Sequence, residues 1–458
     1  MSTDRSPITT IVDAEVEGAV VDVRIDAGHV TAVDRDLPRA GTEVVDAGGG
    51  ALIPGLHDHH LHLLAMAAAD RSVDVGSAAD PASFDHAIRA AAGWRTGQAA
   101  DAWLRVVGYD DHHGPLDRRR LDTLAPGRKV RVQHRSGAAW VVNSPGLGAI
   151  GEESADGWLH RADHDLGRRW AGDGPPDLAP IGRRLAAFGV TGVTDATPFD
   201  DVGGFDLVAA ARACGDLPQR VMVMGGPALA EAAVPDGLER GPVKVIVADD
   251  RLPTPDQLVD ALQRAHRASR PVAVHCVTRI GLVLALTAWY RAGAIAGDRI
   301  EHGSVIPVEL IAEIAELGLQ VVTQPAFVWD RGDRYLAEVE PDDQPHLYRC
   351  GTLIDARIGV GASTDAPFGP ADPWLAMHAA VQRQTRTGQS VGPDEAVPPR
   401  RALDLFLAPL ARPTAAARTV AVGAAADLCL LVAPLAQALT APSSEQVRST
   451  WIAGQLLS

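Results

Sequence analysis

The sequence predicts an α/β protein: a (β/α)8 barrel with a β-rich segment at each chain end and an α/β insertion after its first strand. Three observations predict this fold. Through most of the second half, short apolar segments alternate with amphipathic helical segments, as in parallel strands joined by helices. Both chain ends instead alternate apolar and polar residues, which is typical of antiparallel strands. A long segment of different texture separates the first apolar strand from the others.

The chain ends have a strand pattern of their own. Residues 8–50 consist of short alternating runs separated by turn sequences such as DAGHV and DAGGG. The C-terminus has the same texture in DLCLLVAPL and VRSTWIAGQLL. Because strand side chains alternate between two faces, this period of two predicts half-buried strands. We expect a small antiparallel β unit at the N-terminus and further strands at the C-terminus.

The barrel is predicted from eight apolar segments, of which GALIPGLHDHHLH (50–62) is the first. The other seven are GVTGVTDA (189–196), RVMVMG (220–225), VKVIVA (243–248), PVAVHC (271–276), DRIEHG (298–303), LQVVTQP (319–325) and RIGVGASTD (357–365). Amphipathic segments such as PDQLVDALQRAHRAS and PVELIAEIAELG lie between them and predict helices. The barrel domain is expected to span residues 53–66 and 179–407.

The insertion, residues 67–178, contains strand patterns in WLRVVGYD and KVRVQHR, with loops rich in Gly, Asp and His. It follows directly on the first barrel strand. Loops that follow barrel strands lie at the C-terminal face, where active sites of this architecture form. We therefore expect an α/β subdomain over the barrel mouth.

Composition excludes several classes of protein. Hydrophobic residues make up 46% and charged residues 22% of the 458 residues, as in ordinary globular proteins. Acidic residues outnumber Lys and Arg by 58 to 42 and no basic run stands out, which argues against nucleic-acid binding. The polar N-terminus and the lack of a membrane-length apolar run predict no membrane partner. The four scattered cysteines, which favour a reducing and cytoplasmic location, are Cys214, Cys276, Cys350 and Cys429.

The stretch PGLHDHHLH, residues 54–62, contains four histidines. If it is a strand, Asp58, His60 and His62 share one face, whereas His57 and His59 lie on the other. An HxH pair at the C-terminal end of a barrel strand places two imidazoles side by side, which suits a divalent metal ion. We expect His57 and His59 to pack against the helices or the insertion, or to support the metal ligands indirectly.

Four further candidates fall at or near the ends of predicted strands: Lys244, His275, His302 and Asp365. Any one of them alone is as well explained as an ordinary core or surface residue. As a set they would meet the HxH pair at one mouth, because the carboxyl ends of parallel barrel strands share one face. The sequence therefore predicts a metal site at that face.

These stretches resemble the amidohydrolase superfamily of metal-dependent hydrolases, and within it the amidohydrolase 3 group, which includes N-substituted formamide deformylases. The resemblance covers nearly the whole chain and is carried by PGLHDHHLH, WLRVVGYDD, HRSGAAWVVNSPGL, VKVIVAD, RIEHGS, QPAF and GASTDAPF. It implies a distorted TIM barrel with a β-sandwich domain formed by both chain ends, here residues 1–52 and 408–458. Members of the group often form dimers, so a homodimer is the implied oligomer.

The resemblance also implies roles for the candidate residues. His60 and His62 would bind the more buried metal ion, and His275 and His302 a second. Asp365 would bind the first ion and act on the nucleophilic water as general base and acid. The implied cofactor is one or two divalent ions, with zinc the first candidate.

Lys244 matches a position where many members carry a carboxylated lysine that bridges two metal ions. A protonated amine cannot bind a metal, but burial and nearby cations lower a lysine's pKa, and the neutral amine can take up CO₂. The resulting carbamate is an anion able to bind both ions. The alternative is an ordinary lysine whose stem packs in the barrel and whose amine pairs with a carboxylate.

The chain departs from the group's pattern near the expected substrate. Ala248-Asp249-Asp250 replaces the usual Asp-Gly, CVTRIG replaces Ala-Ile-Gly-Asp, and Ala138 stands where a histidine is usual. We therefore carry over no known member's substrate. The residues predicted to line the pocket, each of which also fits a packed or solvated loop, are Tyr109, Asp110, His112, Phe327, Trp329 and Arg331.

The predicted function is hydrolysis of a C–N bond in a small molecule, namely an amide, formamide, cyclic imide or urea-like bond, by a metal-activated water. Metal-dependent deamination, isomerisation or decarboxylation on the same barrel stays open, because a fold and a metal site do not fix the reaction. A metal-free scaffold homologue is disfavoured, because all six candidate ligand positions are filled.

Overall fold

The structure is a computed structural model that describes residues 8–76, 78–93, 102–135, 137, 139–160, 176–249 and 251–457. Its contacts divide the chain into unit 1, residues 1–63 and 178–458, and unit 2, residues 64–177. The sequence predicts the insertion at residues 67–178. Among the described residues, no helix is both long enough and apolar enough to cross a membrane.

Unit 1 contains eight short strands that follow one another in chain order. They are β1 Leu56–Leu61, β2 Val190–Asp195, β3 Arg220–Val223, β4 Val243–Ile246, β5 Val272–Cys276, β6 Arg299–His302, β7 Gln320–Thr323 and β8 Val360–Ala362. One parallel sheet has the order β1-β2-β3, with Leu238–Arg240 beside β3, and a second has the order β4-β5-β6-β7-β8. Unit 1 is therefore a mixed α/β fold with parallel sheets, as the sequence predicts.

The first predicted strand, 50–62, is in fact two strands in two sheets. Leu52–Pro54 pairs antiparallel with Leu428–Leu431, whereas β1 pairs parallel with β2. Gly55 separates them, and a Cβ atom at this position would lie 2.1 Å from the Thr191 methyl group. Only glycine fits this close approach, so the chain changes sheets at Gly55 immediately before the histidine-rich strand.

Helices follow most of the strands. The helix Pro255–Arg267, predicted from PDQLVDALQRAHRAS, begins with a capping box between Thr254 and Gln257 and buries Leu258 and Leu262. The helices of unit 1 are Ala179–Ala187, Gly203–Ala213, Pro255–Arg267, Arg279–Ala292, Ile311–Glu316, Ala326–Glu338, Gly351–Asp355, Pro373–Gln382, Pro399–Leu407 and Leu435–Ala438.

The chain ends form two further sheets in unit 1. The first orders His29–Asp34, Ala19–Asp26, Thr9–Val16 and Glu43–Asp46, and the second orders Gln455–Leu456, Val447–Ile452, Leu428–Leu431 and Leu52–Pro54. Both contribute to one buried cluster that includes Ile11, Val23, Leu428 and Trp451. The N-terminal sheet is not purely antiparallel, because Glu43–Asp46 pairs parallel with Thr9–Val16.

Unit 2 is built on a sheet of its own, ordered Trp158–His160, Ala139–Val142, Val130–His134, Leu104–Tyr109 and Val73–Asp74. The helices described there are Pro81–Gly93, Arg118–Leu124 and Ser144–Ile150, while Leu63–Asp70 starts at the unit boundary. Phe84, Tyr109, Leu121 and Val132 belong to its buried core. The insertion therefore has the α/β character predicted from its sequence.

Candidate metal centre

The C-terminal end of β1 brings two histidines and an aspartate together. His62 Nε2 lies 3.2 Å and His60 Nε2 3.5 Å from the same oxygen, Oδ1, of Asp365. The Asp365 backbone N–H donates to the His60 carbonyl at 2.8 Å, which fixes the loop after β8 against β1. The strand β8 ends at Ala362, so Asp365 lies beyond it, with φ of +56°. The predicted strand end at residue 365 was three residues too long.

Three of the histidines share one hydrogen-bonding pattern: Nδ1 contacts an oxygen, which leaves Nε2 available as a ligand. The three contacts are His60 to Glu301 Oε2, His62 to Thr197 Oγ1 at 3.0 Å, and His302 to Gln324 Oε1 at 2.8 Å. Carboxylate and amide oxygens only accept, so Nδ1 carries the proton in His60 and His302. This pattern is typical of metal-binding histidines.

Lys244, His275 and His302 continue the cluster from β4, β5 and β6. Lys244 Nζ lies 3.1 Å from His60 Nε2. The His302 ring centroid is 4.8 Å from that of His60 and 4.4 Å from that of His275. Regular alternation would send His302 away from its neighbour Glu301, yet both contact His60, because His302 adopts φ of +70°. The six predicted ligands thus form one connected cluster, the candidate centre.

Burial favours the uncharged form of His60, His275, His302 and Lys244. It lowers the pKa of His60 and His275 well below the ordinary value, and that of His302 to about 3. Burial also lowers the pKa of Lys244 to about 8. Neutral imidazoles are the form that binds a cation, and a lowered lysine pKa favours the free amine.

Asp365 stays anionic in the same surroundings. Burial by itself raises the pKa of its carboxyl, but the neighbouring imidazoles of His62, His302 and His60 outweigh burial and hold that pKa well below its usual range. The candidate centre therefore combines one carboxylate with the neutral imidazoles of His60, His275 and His302, a combination of groups typical of sites for zinc and related ions.

The residues fit a divalent metal ion. Asp365 Oδ1 is buried and has no well-aligned hydrogen bond from any described residue. Ligand atoms of His60, His62 and Asp365 all lie within 4.8 Å of one another. A buried carboxylate oxygen facing two imidazole nitrogens without hydrogen-bond geometry is costly unless something else binds it. A cation between the three groups would satisfy all of them.

Comparison with known proteins shows the family of the chain. The family model described as the amidohydrolase family matches residues 43–457. The chain belongs to the amidohydrolase family. The sequence is similar to the N-substituted formamide deformylase of Arthrobacter pascens, with 23% identity over 84% of each chain.

Two solved structures share the fold of this amidohydrolase. An uncharacterized metal-dependent hydrolase from Pyrococcus furiosus superimposes with a TM-score of 0.72 at 21% identity, over 92% of this chain and 98% of that one. N-isopropylammelide isopropylaminohydrolase from Burkholderia multivorans gives 0.55 at 16% identity, over 98% of each chain. Family membership makes the protein a metal-dependent hydrolase that acts on C–N bonds other than peptide bonds.

The amidohydrolase also contains a buried ion pair behind His60 that sequence analysis missed. Glu301 accepts from His60 Nδ1 with one oxygen and from Arg299 Nε with the other, and Arg299 also donates to the His59 carbonyl. Glu301 is fully buried and Arg299 nearly so. The sequence RIEH could have indicated this ion pair, because Arg299 and Glu301 are two positions apart and so share one face of an apolar strand.

Asp58 is a second residue to which sequence analysis gave no role. Its carboxyl accepts from the Thr364 hydroxyl at 2.5 Å, and from the backbone N–H groups of Thr364 at 3.2 Å and His60 at 3.1 Å. Burial raises its pKa to about 7. These bonds join β1 to the residue before Asp365, so Asp58 positions the aspartate without contacting the candidate centre's ligand atoms.

His57 and His59 lie on the other side of β1, as alternation predicts. His57 Nδ1 contacts the Ala408 carbonyl at 2.9 Å, and its Nε2 has no partner among the described residues. Neither ring nitrogen of His59 has a partner there either. Burial lowers the pKa of His59 to about 3, so the ring is neutral. Both side chains occupy packing positions.

The pocket candidates Phe327, Trp329 and Arg331 all lie on the helix Ala326–Glu338, which follows β7. Phe327 is buried in an apolar cluster with Tyr348 and Val391. The Arg331 guanidinium stacks on the Phe327 ring at 4.1 Å, whereas Trp329 packs under Arg386. The Nε–H of Arg331 is buried and has no hydrogen-bond partner among the described residues.

The other three candidates belong to unit 2 and have local contacts. The Tyr109 hydroxyl donates to the Gly114 carbonyl at 3.0 Å, and Asp110 caps the short 3-10 helix Asp111–His113. His112 Nε2 contacts the Ala78 carbonyl at 3.1 Å. These contacts account for their positions locally, and a substrate-binding role for them stays a prediction.

The departures from the group's pattern are only partly visible. Asp249 accepts from the Thr278 hydroxyl, and Ala248 pairs with Arg251 in an isolated bridge. Asp250 and Ala138 lie outside the described residues. The four cysteines are all free thiols, as their spacing predicts.

Proposed function

We propose that the protein hydrolyses a C–N bond of a small molecule, in an amide, formamide, cyclic imide or urea-like group, with Asp365 as general base and acid. The observation that carries the proposal is the unpaired Oδ1 of Asp365 beside two imidazole nitrogens. The names of two relatives, a formamide deformylase and an isopropylaminohydrolase, also describe C–N bond chemistry.

The proposed scaffold is a single (β/α)8 barrel, with the two parallel sheets as its two arcs and the terminal sheets as a β-sandwich. Two hydrogen bonds support closure. Lys244 N–H on β4 donates to the carbonyl of Gly225, just after β3, at 2.9 Å, and Asp365 N–H donates to His60 on β1 at 2.8 Å. Each bond lies where one sheet ends and the other begins.

His60, His62 and Asp365 are proposed to hold the first divalent ion, with zinc as first candidate, and His275 and His302 a second. Such an ion, when bound, lowers the pKa of water and polarises a carbonyl group. The chain itself supplies the orientation: Glu301, Thr197 and Gln324 each fix one imidazole through Nδ1.

Asp365 is proposed to move the proton. Its carboxylate takes a proton from the attacking water while the C–O bond forms at the substrate carbonyl, and then gives that proton to the leaving nitrogen as the C–N bond breaks. Its lowered pKa keeps it in the carboxylate form, and the hydrogen bond from its backbone to His60 keeps it in place.

The test is metal analysis of the purified protein, followed by a hydrolysis screen on metal-loaded enzyme. We expect one to two ions per chain and release of an amine or ammonia from at least one class of C–N substrate. Full activity in a chelator with no bound metal would overturn the proposal. Release of CO₂ from a carboxylic acid, or isomerisation without hydrolysis, would replace it by another reaction on the same site.

Lys244 is proposed to carry a carbamate that bridges the two ions. Its burial, its lowered pKa and its contact with His60 at 3.1 Å support this. We expect Lys244→Ala to bind less metal and lose activity, with partial rescue of both by acetate or propionate, which can replace a bridging anion. Rescue by alkylamines but not by acids would show instead that the lysine acts through its positive charge.

A further inference from the structure

Arg331 lies beside the turn that carries the proposed base. Its Nη2 donates to the carbonyl of Phe368, and Phe368 N–H donates to the Asp365 carbonyl at 2.8 Å. The Phe368 ring packs edge-on against His62, with ring centroids 5.3 Å apart. Arg331 therefore contacts Phe368, and Phe368 in turn contacts both His62 and Asp365.

The guanidinium of Arg331 is held in place, but not all of its N–H groups have hydrogen-bond acceptors. Stacking on Phe327 at 4.1 Å and the bond to Phe368 fix its plane. Its Nε–H is buried without an acceptor, and no further hydrogen bond reaches a residue in the described part of the chain. Arg383 is different, since it donates to four carbonyl groups with Nε and both terminal nitrogens.

The charge of Arg331 is also incompletely balanced. Its nearest carboxylate oxygen, on Asp330, is 3.8 Å from Nε, which is beyond a hydrogen bond. The other oxygen of Asp330 pairs with Arg386 at 2.9 Å, so one carboxylate faces two guanidinium groups. About a quarter of the Arg331 side chain stays exposed. A cation whose Nη1 makes no hydrogen bond in the described part of the chain thus lies next to Phe368, which contacts both His62 and Asp365.

We propose that Arg331 binds a carboxylate of the substrate, so that the natural substrates are N-acyl, N-formyl or N-carbamoyl derivatives of amino acids or similar anionic amides. A fixed guanidinium presents paired N–H groups that match the two oxygens of a carboxylate, which a neutral amide cannot reproduce. This inference rests on the proposed function and names its substrate class.

The competing interpretation is structural: Arg331 only clamps the turn from Asp365 to Phe368. The two interpretations differ in one measurable property. A clamp affects all substrates alike, because it acts through the position of Asp365. A carboxylate receptor discriminates between an anionic substrate and its neutral carboxamide, whose reacting bond is the same.

The experiment compares matched pairs on metal-loaded enzyme: N-formyl-, N-acetyl- and N-carbamoyl-amino acids against their carboxamides. kcat/KM and, by calorimetry, binding are measured for wild type, Arg331→Met and Arg331→Lys. Arg334→Met, a more exposed arginine of the same helix that pairs with Glu338, is the matched control. Metal content and circular dichroism check that each variant folds.

We expect wild type to prefer the carboxylate, and Arg331→Met to lose about 10-fold to 200-fold on the carboxylate, as for a hydrogen bond to a charged group, with little change on the carboxamide. Arg331→Lys should recover part of the loss, and Arg334→Met should behave as wild type. Equal loss on both members of a pair, or a wild-type preference for the carboxamide, overturns the inference while the proposed function stands.

The binding measurement distinguishes failure of the carboxylate site from failure of the proposed hydrolysis. Arg331-dependent binding of the carboxylates without any turnover would support the carboxylate site and count against the proposed hydrolysis. No binding and no turnover of the carboxylates, with the carboxamides or other neutral C–N compounds hydrolysed, would overturn the carboxylate site alone.

Discussion

The two sides of β1 contain the same residue type at the same depth and differ in their partners. On one side, His60 contacts Glu301 through Nδ1 and faces Lys244 and Asp365 through Nε2. On the other side, His59 is equally buried, but its ring nitrogens have no hydrogen-bond partner among the described residues. Burial alone therefore does not identify a metal ligand.

What distinguishes the two sides is a pair of oriented nitrogens. A ligand histidine needs one nitrogen bonded to an acceptor and the other directed at a shared carboxylate, and His60 and His62 meet both conditions. His57 meets only the first, through Ala408. The predictions below test whether this difference in partners translates into a difference in metal binding and activity.

The largest effect is expected from His60→Ala and His62→Ala. Each removes a proposed ligand, so bound metal should fall and activity should drop below detection, as measured by elemental analysis and turnover of metal-loaded protein. His57→Ala is the matched control, because it is the same truncation on the same buried strand. Equal metal loss in all three variants would contradict the assignment of the two sides.

The second-largest effect is expected from Asp365→Asn. Turnover should fall by about 10²-fold to 10⁴-fold, the range typical of removing a general base. The amide keeps the size of the side chain, so the protein should remain folded. Asp58→Asn is the control, a buried carboxyl nearby whose hydrogen bonds among the described residues are to Thr364 and the backbone of His60. A larger loss in turnover from Asp58→Asn would place the proton transfer elsewhere.

Glu301→Gln should weaken metal binding by about 10-fold to 100-fold, because the amide no longer offers His60 a charged acceptor. Competition with a chelator measures the affinity. Glu395→Gln provides a control, since Glu395 is also buried against an arginine, Arg349, but makes no contact with the candidate centre. That variant should lose stability and keep its metal affinity; unchanged affinity in Glu301→Gln would contradict the role given to Glu301.

The smallest effect is expected from His59→Phe. An apolar ring of similar size removes two buried nitrogens without partners, so the free energy of unfolding should stay the same or rise by about 1 kcal/mol. Urea unfolding measures it, with metal content unchanged. A loss of more than about 2 kcal/mol would indicate that His59 has a partner, such as a buried water molecule.

The strands of the mixed α/β fold, and the clustering of the proposed ligands, were largely predictable from sequence. Each of the eight predicted barrel segments contains an observed strand, because apolar runs between helical segments are a local property of the chain. The errors concern ends and pairing: the first segment is split at Gly55, and β8 stops at Ala362. Both depend on close contacts with other strands, which a local pattern does not contain.

The sequence alone determined which residues share a face of β1, since a strand's period of two is fixed by backbone geometry and separates His60 and His62 from His57 and His59. Tertiary structure decided what each face meets. The contact of His60 with Glu301 joins residues 241 positions apart, and the positive φ of His302 turns it into the candidate centre against strand alternation. The free N–H groups of Arg331 emerge only when its neighbours are placed. Hydrogen-bond partners so far apart in the chain are selected by packing, and no local pattern encodes them.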